Sequence, residues 1–283
     1  MYSRIQMTEW SAVETLIAQA RNRGRMLTNC YPDRERMSEW CAAGALYAEE
    51  APGVTVIWRD QQSFCNLFFF ADSKDALASY VSGTIDAIRD RAVVDLIGPD
   101  AIRLPLQDVF VSAGFGKISE LVRMSRKTPE CTDVPVINIE SPDDRDIPDI
   151  QAIFREHFNP EVEQLPSDAE LKRWISKGGV LVHRNDRYRV HSFIIYEMNK
   201  ASLYLRYWFV NPQVRNCGVG GCLMRTMFYR ARFTRRQYFW VITDNENAVK
   251  RYEHYGFRAE PMRDVVLAKD FKKGNYEHER SDN

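Results

Sequence analysis

"FVNPQVRNCGVGGCLM", residues 209–224, leaves an aromatic, apolar run, passes three glycines in four positions and enters a helix-forming pattern. Glycine is a poor helix former, so its concentration at a helix entrance calls for another reason. Bare backbone lets a ligand come close to the main chain. The first N–H groups of a helix lack intrahelical acceptors and lie at the positive end of its dipole. The expected visitor is therefore a phosphate.

The surrounding chain has 283 residues, long for one domain and comfortable for two. Its hydrophobic content of 45% suffices for a sizeable core. Lys plus Arg equals Asp plus Glu at 39 each, so no overall electrostatic footprint for nucleic acid or an anionic membrane is present. No apolar run reaches the ~18 residues of a membrane span. The start, "MYSRIQMTEW", lacks a secretion-signal pattern, and a cytoplasmic location is expected. The six cysteines form no CxxC pair or zinc-type cluster, so free thiols and no metal site are expected.

Two segments read alike: "GVTVIWRDQQSFCNLFFF" from Gly53 and "GVLVHRNDRYRVHSFIIY" from Gly179. Each is a strand, a polar turn at Asp60 or Asp186, and a second strand. Helical patterns precede both: "WSAVETLIAQARNRG" and "DRERMSEWCAAGALYAEE" in the first half, "DIPDIQAIFREHF" and "SDAELKRWISKG" in the second. Ser167 followed by Glu170 predicts a capping box. Each half closes with a helix, a Gly-Phe break (Gly114-Phe115, Gly256-Phe257) and a strand. The proline-punctuated residues 127–136 mark the boundary. The expectation is α+β: two tandem units, 1–128 and 129–272, each a mostly antiparallel sheet flanked by helices, with a flexible tail at 273–283. The second half has an extra strand, "ASLYLRYWFV", and the glycines, both of which the first half is read as lacking. Chemistry that needs the loop is thus expected only in the second.

A Walker loop requires Lys then Ser/Thr after its last glycine, and Cys222 and Leu223 stand there instead. A dinucleotide fingerprint finds Leu223 at its third glycine, with Asp244 as its acid. A third pattern fits better. Arg215-x-x-Gly218-x-Gly220 resembles the acyl-CoA motif of the GNAT N-acyltransferase superfamily, Arg/Gln-x-x-Gly-x-Gly/Ala. Downstream, Asn245, Ala248, Tyr252, Gly256 and Phe257 fall on that superfamily's second signature, Asn-x-x-Ala-x-x-x-Tyr-x-x-x-Gly-Phe. The resemblance covers residues 135–270 and implies two GNAT-like domains, the first degenerate.

It also implies acetyl-CoA or another acyl-CoA as co-substrate and a small-molecule or peptide amine as acceptor. Phosphates would rest on the amides of Cys217, Gly218, Val219, Gly220 and Gly221, with Arg215 and Asn216 beside them. The pantetheine arm would follow the strand edge at Tyr207–Val210, where a backbone N–H of Phe209 or Val210 would hold the oxyanion. Asn245 would bind the arm or cap its helix, and Tyr252 would protonate the departing thiolate. The strand before the loop offers no acid at the family's usual place, so Glu197, through water, is the expected base, with His191 on the same strand face. His157, Glu161 and Glu163 are candidates for recognising the amine, and the basic residues 228–237 for the 3′-phosphate or an acidic carrier. No nucleophile–His–acid set appears, so direct attack without an acyl-enzyme is expected. Two alternatives stand beside this reading: a non-catalytic CoA-responsive binding module, and an aminoacyl-transfer protein of the tandem-GNAT kind.

Overall fold

The computed structural model describes residues 3–24, 26–83, 89–129 and 139–271. Contacts divide the chain into two compact units, Met1–Glu120 with Met262–Asn283, and Leu121–Pro261. The sequence reading set one boundary at 128/129; contacts divide the chain after Glu120 and again after Pro261, where the last strand returns to the first unit. The expected tail, 273–283, and most of the proline-rich junction lie outside the described residues.

The first unit contains β1 (Arg4–Met7), α1 (Trp10–Asn22), β2 (Leu27–Thr28), α2 (Arg34–Ala42), β3 (Leu46–Ala51), β4 (Val54–Asp60), β5 (Cys65–Ala71), α3 (Lys74–Ser82), β6 (Arg91–Gly98) and α4 (Asp100–Ser112). The start of β7 (Gly116–Lys127) belongs here, as does the end of β12 (Arg258–Asp270). The strand order is β1-β3-β4-β5-β6-β12, antiparallel except for β5 against β6. One apolar cluster joins β4, β5 and β6 to α3 and α4 through Phe69, Leu77 and Phe110. Another joins α1 and α2 to the strands through Val13, Ile17 and Trp40.

The first half is not short of a strand. "LYAEEA", read as the end of a helix, is β3. Helix α2 stops at Ala42, and Gly44 takes the left-handed conformation (φ 66°) that glycine adopts without a Cβ penalty. Leu46 and Ala48 then alternate into the core. The meander β3-β4-β5 leads into α3, so the first-half hairpin at 54–71 lies one strand later in its meander than the sequence pairing implied.

The second unit contains, after a 3₁₀ turn at Asp144–Asp146, α5 (Ile147–His157), α6 (Pro160–Glu163), α7 (Asp168–Ser176), β8 (Val180–Arg184), β9 (Val190–Met198), β10 (Ser202–Val210), α8 (Val219–Arg230), β11 (Arg236–Ile242) and α9 (Glu246–His254). Its strand order is β7-β11-β10-β9-β8, with only the β10–β11 pair parallel. The predicted capping box is present: Ser167 Oγ accepts from Glu170 N–H, and the Glu170 carboxylate accepts from Ser167 N–H. Helices α8 and α9 bury Leu223, Met227 and Tyr252 against one sheet face. Helices α5 and α7 bury Phe154 and Trp174 against the other. No helix among the described residues is long and apolar enough to cross a membrane.

Candidate active site

Two local irregularities in β10 open the second unit. The first is a bulge. Leu205 pairs with Tyr196 but Tyr207 pairs with Ile195, so Arg206 is an extra residue. Side chains alternate along a strand, and one inserted residue exchanges the faces beyond it. Leu203 and Leu205 therefore pack under α8, whereas Tyr207 and Phe209 turn to α5 and α7. Trp208 is sent to the α8 side, where it packs with the same cluster.

The second irregularity is a splay. Strand β10 pairs with β11 only at Ser202–Tyr204, yet β10 continues to Val210 and β11 to Ile242. Among the described residues, the β10 edge from Leu205 to Val210 has no ladder partner on that side. Unpaired main-chain groups on such an edge are a template for an extended ligand carrying amides.

Helix α8 starts at the end of this edge. Its cap residue, Gly218, is left-handed (φ 83°), as is Asn216 (φ 68°), and no side chain caps it. The first bond into the helix is from Cys222 N–H to Gly218 C=O at 3.0 Å. Among the described residues, the N–H groups of Gly218, Val219, Gly220 and Gly221 have no acceptor. The Cys217 N–H donates to Val214 C=O at 3.3 Å, so the free run begins one residue later than the sequence indicated. The glycines serve distinct ends. Gly218 supplies the positive φ. A Cβ on Gly220 would lie 3.0 Å from Val210 Cγ2 and 3.1 Å from Trp208 Cζ2, so that glycine lets α8 pack on β10. A Cβ on Gly221 would meet Arg225 Nη1 at 3.1 Å.

These amides border a cleft of about 460 Å³ whose lining includes Trp208, Val210, Arg215, Asn216, Lys250 and Arg251. His254 and Tyr255 complete its α9 wall. The Arg215 Nε donates to Val210 C=O at 3.4 Å, tying the loop to the strand end. Positive side chains around free N–H groups and a helix N-terminus make an anion site. The sequence reading included Val210, Arg215, Asn216 and the glycines. It did not single out Lys250, Arg251, His254 and Tyr255, although these four, on α9 and its C-cap, follow helical spacing. The basic stretch 228–237 is elsewhere: Arg230 donates to Gly178 C=O and Ser141, and Arg236 pairs with Glu260. Neither lines the cleft.

Tyr252 lies on α9 against Phe239 (ring centroids 4.0 Å) and Trp208 (5.5 Å). Burial pushes its phenol well above the usual value, Arg251 opposes this, and the charge of Glu163 adds to it. Its hydroxyl makes no hydrogen bond among the described residues. Asn245 caps α9, its Oδ1 accepting from Ala248 N–H at 3.2 Å. Phe209 faces α5, stacked on His157 at 4.7 Å.

Glu197 stands apart from these groups. It is ion-paired with Arg206 and sits opposite Tyr204, at the closed end of the splay. Alternation along β9 sets it on the face with Phe193 and Ile195. The carboxylate whose charge acts on the Tyr252 phenol is Glu163, at the end of α6. Desolvation raises the Glu163 pKa, offset in part by a hydrogen bond from Asn159 N–H at 2.9 Å. The Tyr207 hydroxyl lies 3.1 Å from Glu163 C=O. Glu161 is on the same short helix and half-buried. His191, on β9, has a buried Nδ1 without a partner. Among the described residues no group of three His, Cys, Asp or Glu is placed to hold a metal.

The model of the Acetyltransferase (GNAT) family matches residues 147–257. No curated protein sequence matches the chain. Among solved structures, the chain is similar to a GCN5-related N-acetyltransferase from Sphaerobacter thermophilus, with a TM-score of 0.60 and 11% identity over 96% of each chain. It is similar also to a tandem GNAT protein from the clavulanic acid biosynthesis pathway, with a TM-score of 0.59 and 12% identity over 97% of this chain and 100% of that one. A GNAT-family acetyltransferase from Colwellia psychrerythraea gives 0.55 and 10%, over 95% and 100%. At these identities the likeness is one of fold.

Proposed function

We propose, from the premise that the chain belongs to the GNAT superfamily, with the family's acetyltransferase domain at residues 147–257, that it transfers an acetyl or other short acyl group from acyl-CoA to a primary amine of a small molecule or peptide. One observation carries this reading: four consecutive unpaired N–H groups, Gly218 to Gly221, at a basic cleft beside an unpaired strand edge. The diphosphate would rest on those amides, with Arg215, Lys250 and Arg251 supplying charge. The pantetheine amides would pair with the β10 edge, ending at the level of Tyr207 to Phe209.

The amine nitrogen attacks the thioester carbonyl, a C–N bond forms, and the C–S bond breaks. An N–H of Phe209 or Val210 would stabilise the oxyanion between these events. Tyr252 gives its proton to the departing sulfur. Its raised pKa does not oppose this, because a thiolate suffers the same desolvation; burial, against the opposing charge of Arg21, pushes the Cys30 thiol of this protein up to about 12. The amine's proton passes to the Glu163 carboxylate, whose own raised pKa suits a base that works near neutrality. Glu197, already bound to Arg206, leaves this role to Glu163.

The test is twofold. Acetyl-CoA is expected to raise the melting temperature of the wild type and not that of Gly220→Glu. Tyr252→Phe is expected to keep the shift and lose turnover. A phenylalanine variant with wild-type turnover of every amine acceptor would leave a CoA-binding module as the better reading.

A further inference from the structure

The first unit has a splay of its own. Strand β5 runs parallel to β6 only at Cys65↔Ala92 and Asn66↔Val93, while β5 continues to Ala71 and β6 to Gly98. Because β4 takes the other edge of β5 from Cys65 to Ala71, the free edge faces the gap. The gap is not open. Strand β2 lies in it, with Leu27 paired to Ala71 and Thr28 to Phe70.

The residue after β2 closes the remainder. Asn29 is 5% exposed. Its Nδ2 donates to Leu67 C=O of β5 at 2.9 Å and to Asp95 C=O of β6 at 3.0 Å. Its Oδ1 accepts from Phe69 N–H at 2.8 Å. Thr28 Oγ1 donates to Phe69 C=O at 2.6 Å and accepts from Cys30 N–H at 3.0 Å. A side-chain amide thus offers N–H and C=O to the two separated strands, the same groups that an amide-bearing arm would offer.

The helix entrance is filled in the same way. After β5, Ser73 caps α3, its Oγ accepting from Ala76 N–H at 3.1 Å. Asp72 is ion-paired with Arg23 at 2.7 Å, and Asp75 stands in the first turn. These carboxylates repel an added anion where α8 has no acid and no side-chain cap.

We propose that residues 27–30 permanently occupy, within the first unit, the slot that β10 leaves open in the second, so that the first unit admits no acyl-CoA and each chain binds at most one. The filled slot is a property of the first unit alone. The count of one rests on the function proposed for the second.

Hydrogen–deuterium exchange of the full chain, with and without acetyl-CoA, tests the filled slot directly. The Phe69 amide and residues 27–30 are expected to exchange slowly and equally in both states. Rapid exchange there in the free protein, or a change on adding acetyl-CoA, overturns the inference. This readout holds whether or not the second unit binds the probe. Calorimetry is expected to give one site, abolished by Gly220→Glu; two sites overturn the inference, and no site with slow Phe69 exchange supports it while refuting the function proposed above. Asn29→Asp removes the donor that bridges Leu67 and Asp95. It is expected to lower the melting temperature and speed exchange at 27–30, with acetyl-CoA affinity altered less than about twofold. An Asn29→Asp protein with wild-type exchange and melting temperature overturns the bridging role.

Discussion

The Tyr207 hydroxyl lies 2.9 Å from the carbonyl oxygen of Gln164, a residue held at φ 45° at the end of α6. Tyr207 is on the open length of β10, so this bond ties the helix that carries Glu163 to the strand expected to hold the thioester. Tyr207→Phe removes the tie and keeps the ring, which packs against Phe154 at 4.8 Å. A stability loss of about 1 kcal/mol is expected. The kinetic effect is expected mainly in the amine's KM and in kcat, with acyl-CoA affinity retained; steady-state kinetics in both substrates checks this.

Glu163 gives the reaction a pH signature. As a base it must be ionised, and desolvation raises its pKa. The rate is expected to fall as pH drops through that raised value, at a pH above the ordinary glutamate range. Glu163→Gln is expected to lower kcat by about 10²–10⁴-fold and to remove this acid limb. A limb that survives in Glu163→Gln while disappearing in Glu197→Gln would transfer the role to Glu197.

The two loop glycines are expected to separate under substitution. Gly218→Ala meets no atom within 4 Å but forces a side chain to φ 83°, at a cost of about 1–2 kcal/mol. Gly220→Ala places a methyl 3.0 Å from Val210 and 3.1 Å from Trp208, pushing α8 away from β10. Overpacking of this kind costs about 1–3 kcal/mol, and it is expected to weaken acetyl-CoA binding more than Gly218→Ala does. Paired melting curves with and without acetyl-CoA distinguish the effects.

In the first unit, Asp264 of β12 is buried near Asp95 of β6, two register positions away. Burial first, and then the charge of Asp95, raises the Asp264 pKa well above 3.8. A group whose pKa is raised on folding contributes its full stability below the unfolded value and loses it as pH rises through the folded value. Asp264→Asn is therefore expected to raise the melting temperature at neutral pH. The gain is expected to vanish as pH falls below about 4. Denaturation across pH 4 to 8 checks the sign.

What the sequence could disclose depended on locality. Helices α5 and α7 and the strand before the glycines follow from short-range patterns, and the Ser167–Glu170 box is present as expected. β3 was hidden because "LYAEEA" is rich in helix formers and becomes a strand through its pairing with β1 and β4. The bulge at Arg206 decides which face Tyr207 and Trp208 take, and a strict alternation of two does not contain it. Glu163 is positioned by a four-residue helix that carries no motif. Gly220 was noticeable, but its packing against Trp208 and Val210 is a three-dimensional fact.

Strand β12 completes the sheet of the first unit, so that Arg91 meets Asp270, 179 residues further on. A nascent polypeptide leaving the ribosome therefore exposes the β6 edge until β12 has been made. Loop closure over that span is slow, and an unsatisfied edge invites association with other chains. Production of this protein should accordingly depend on chaperone supply and on low temperature more than its melting point would suggest.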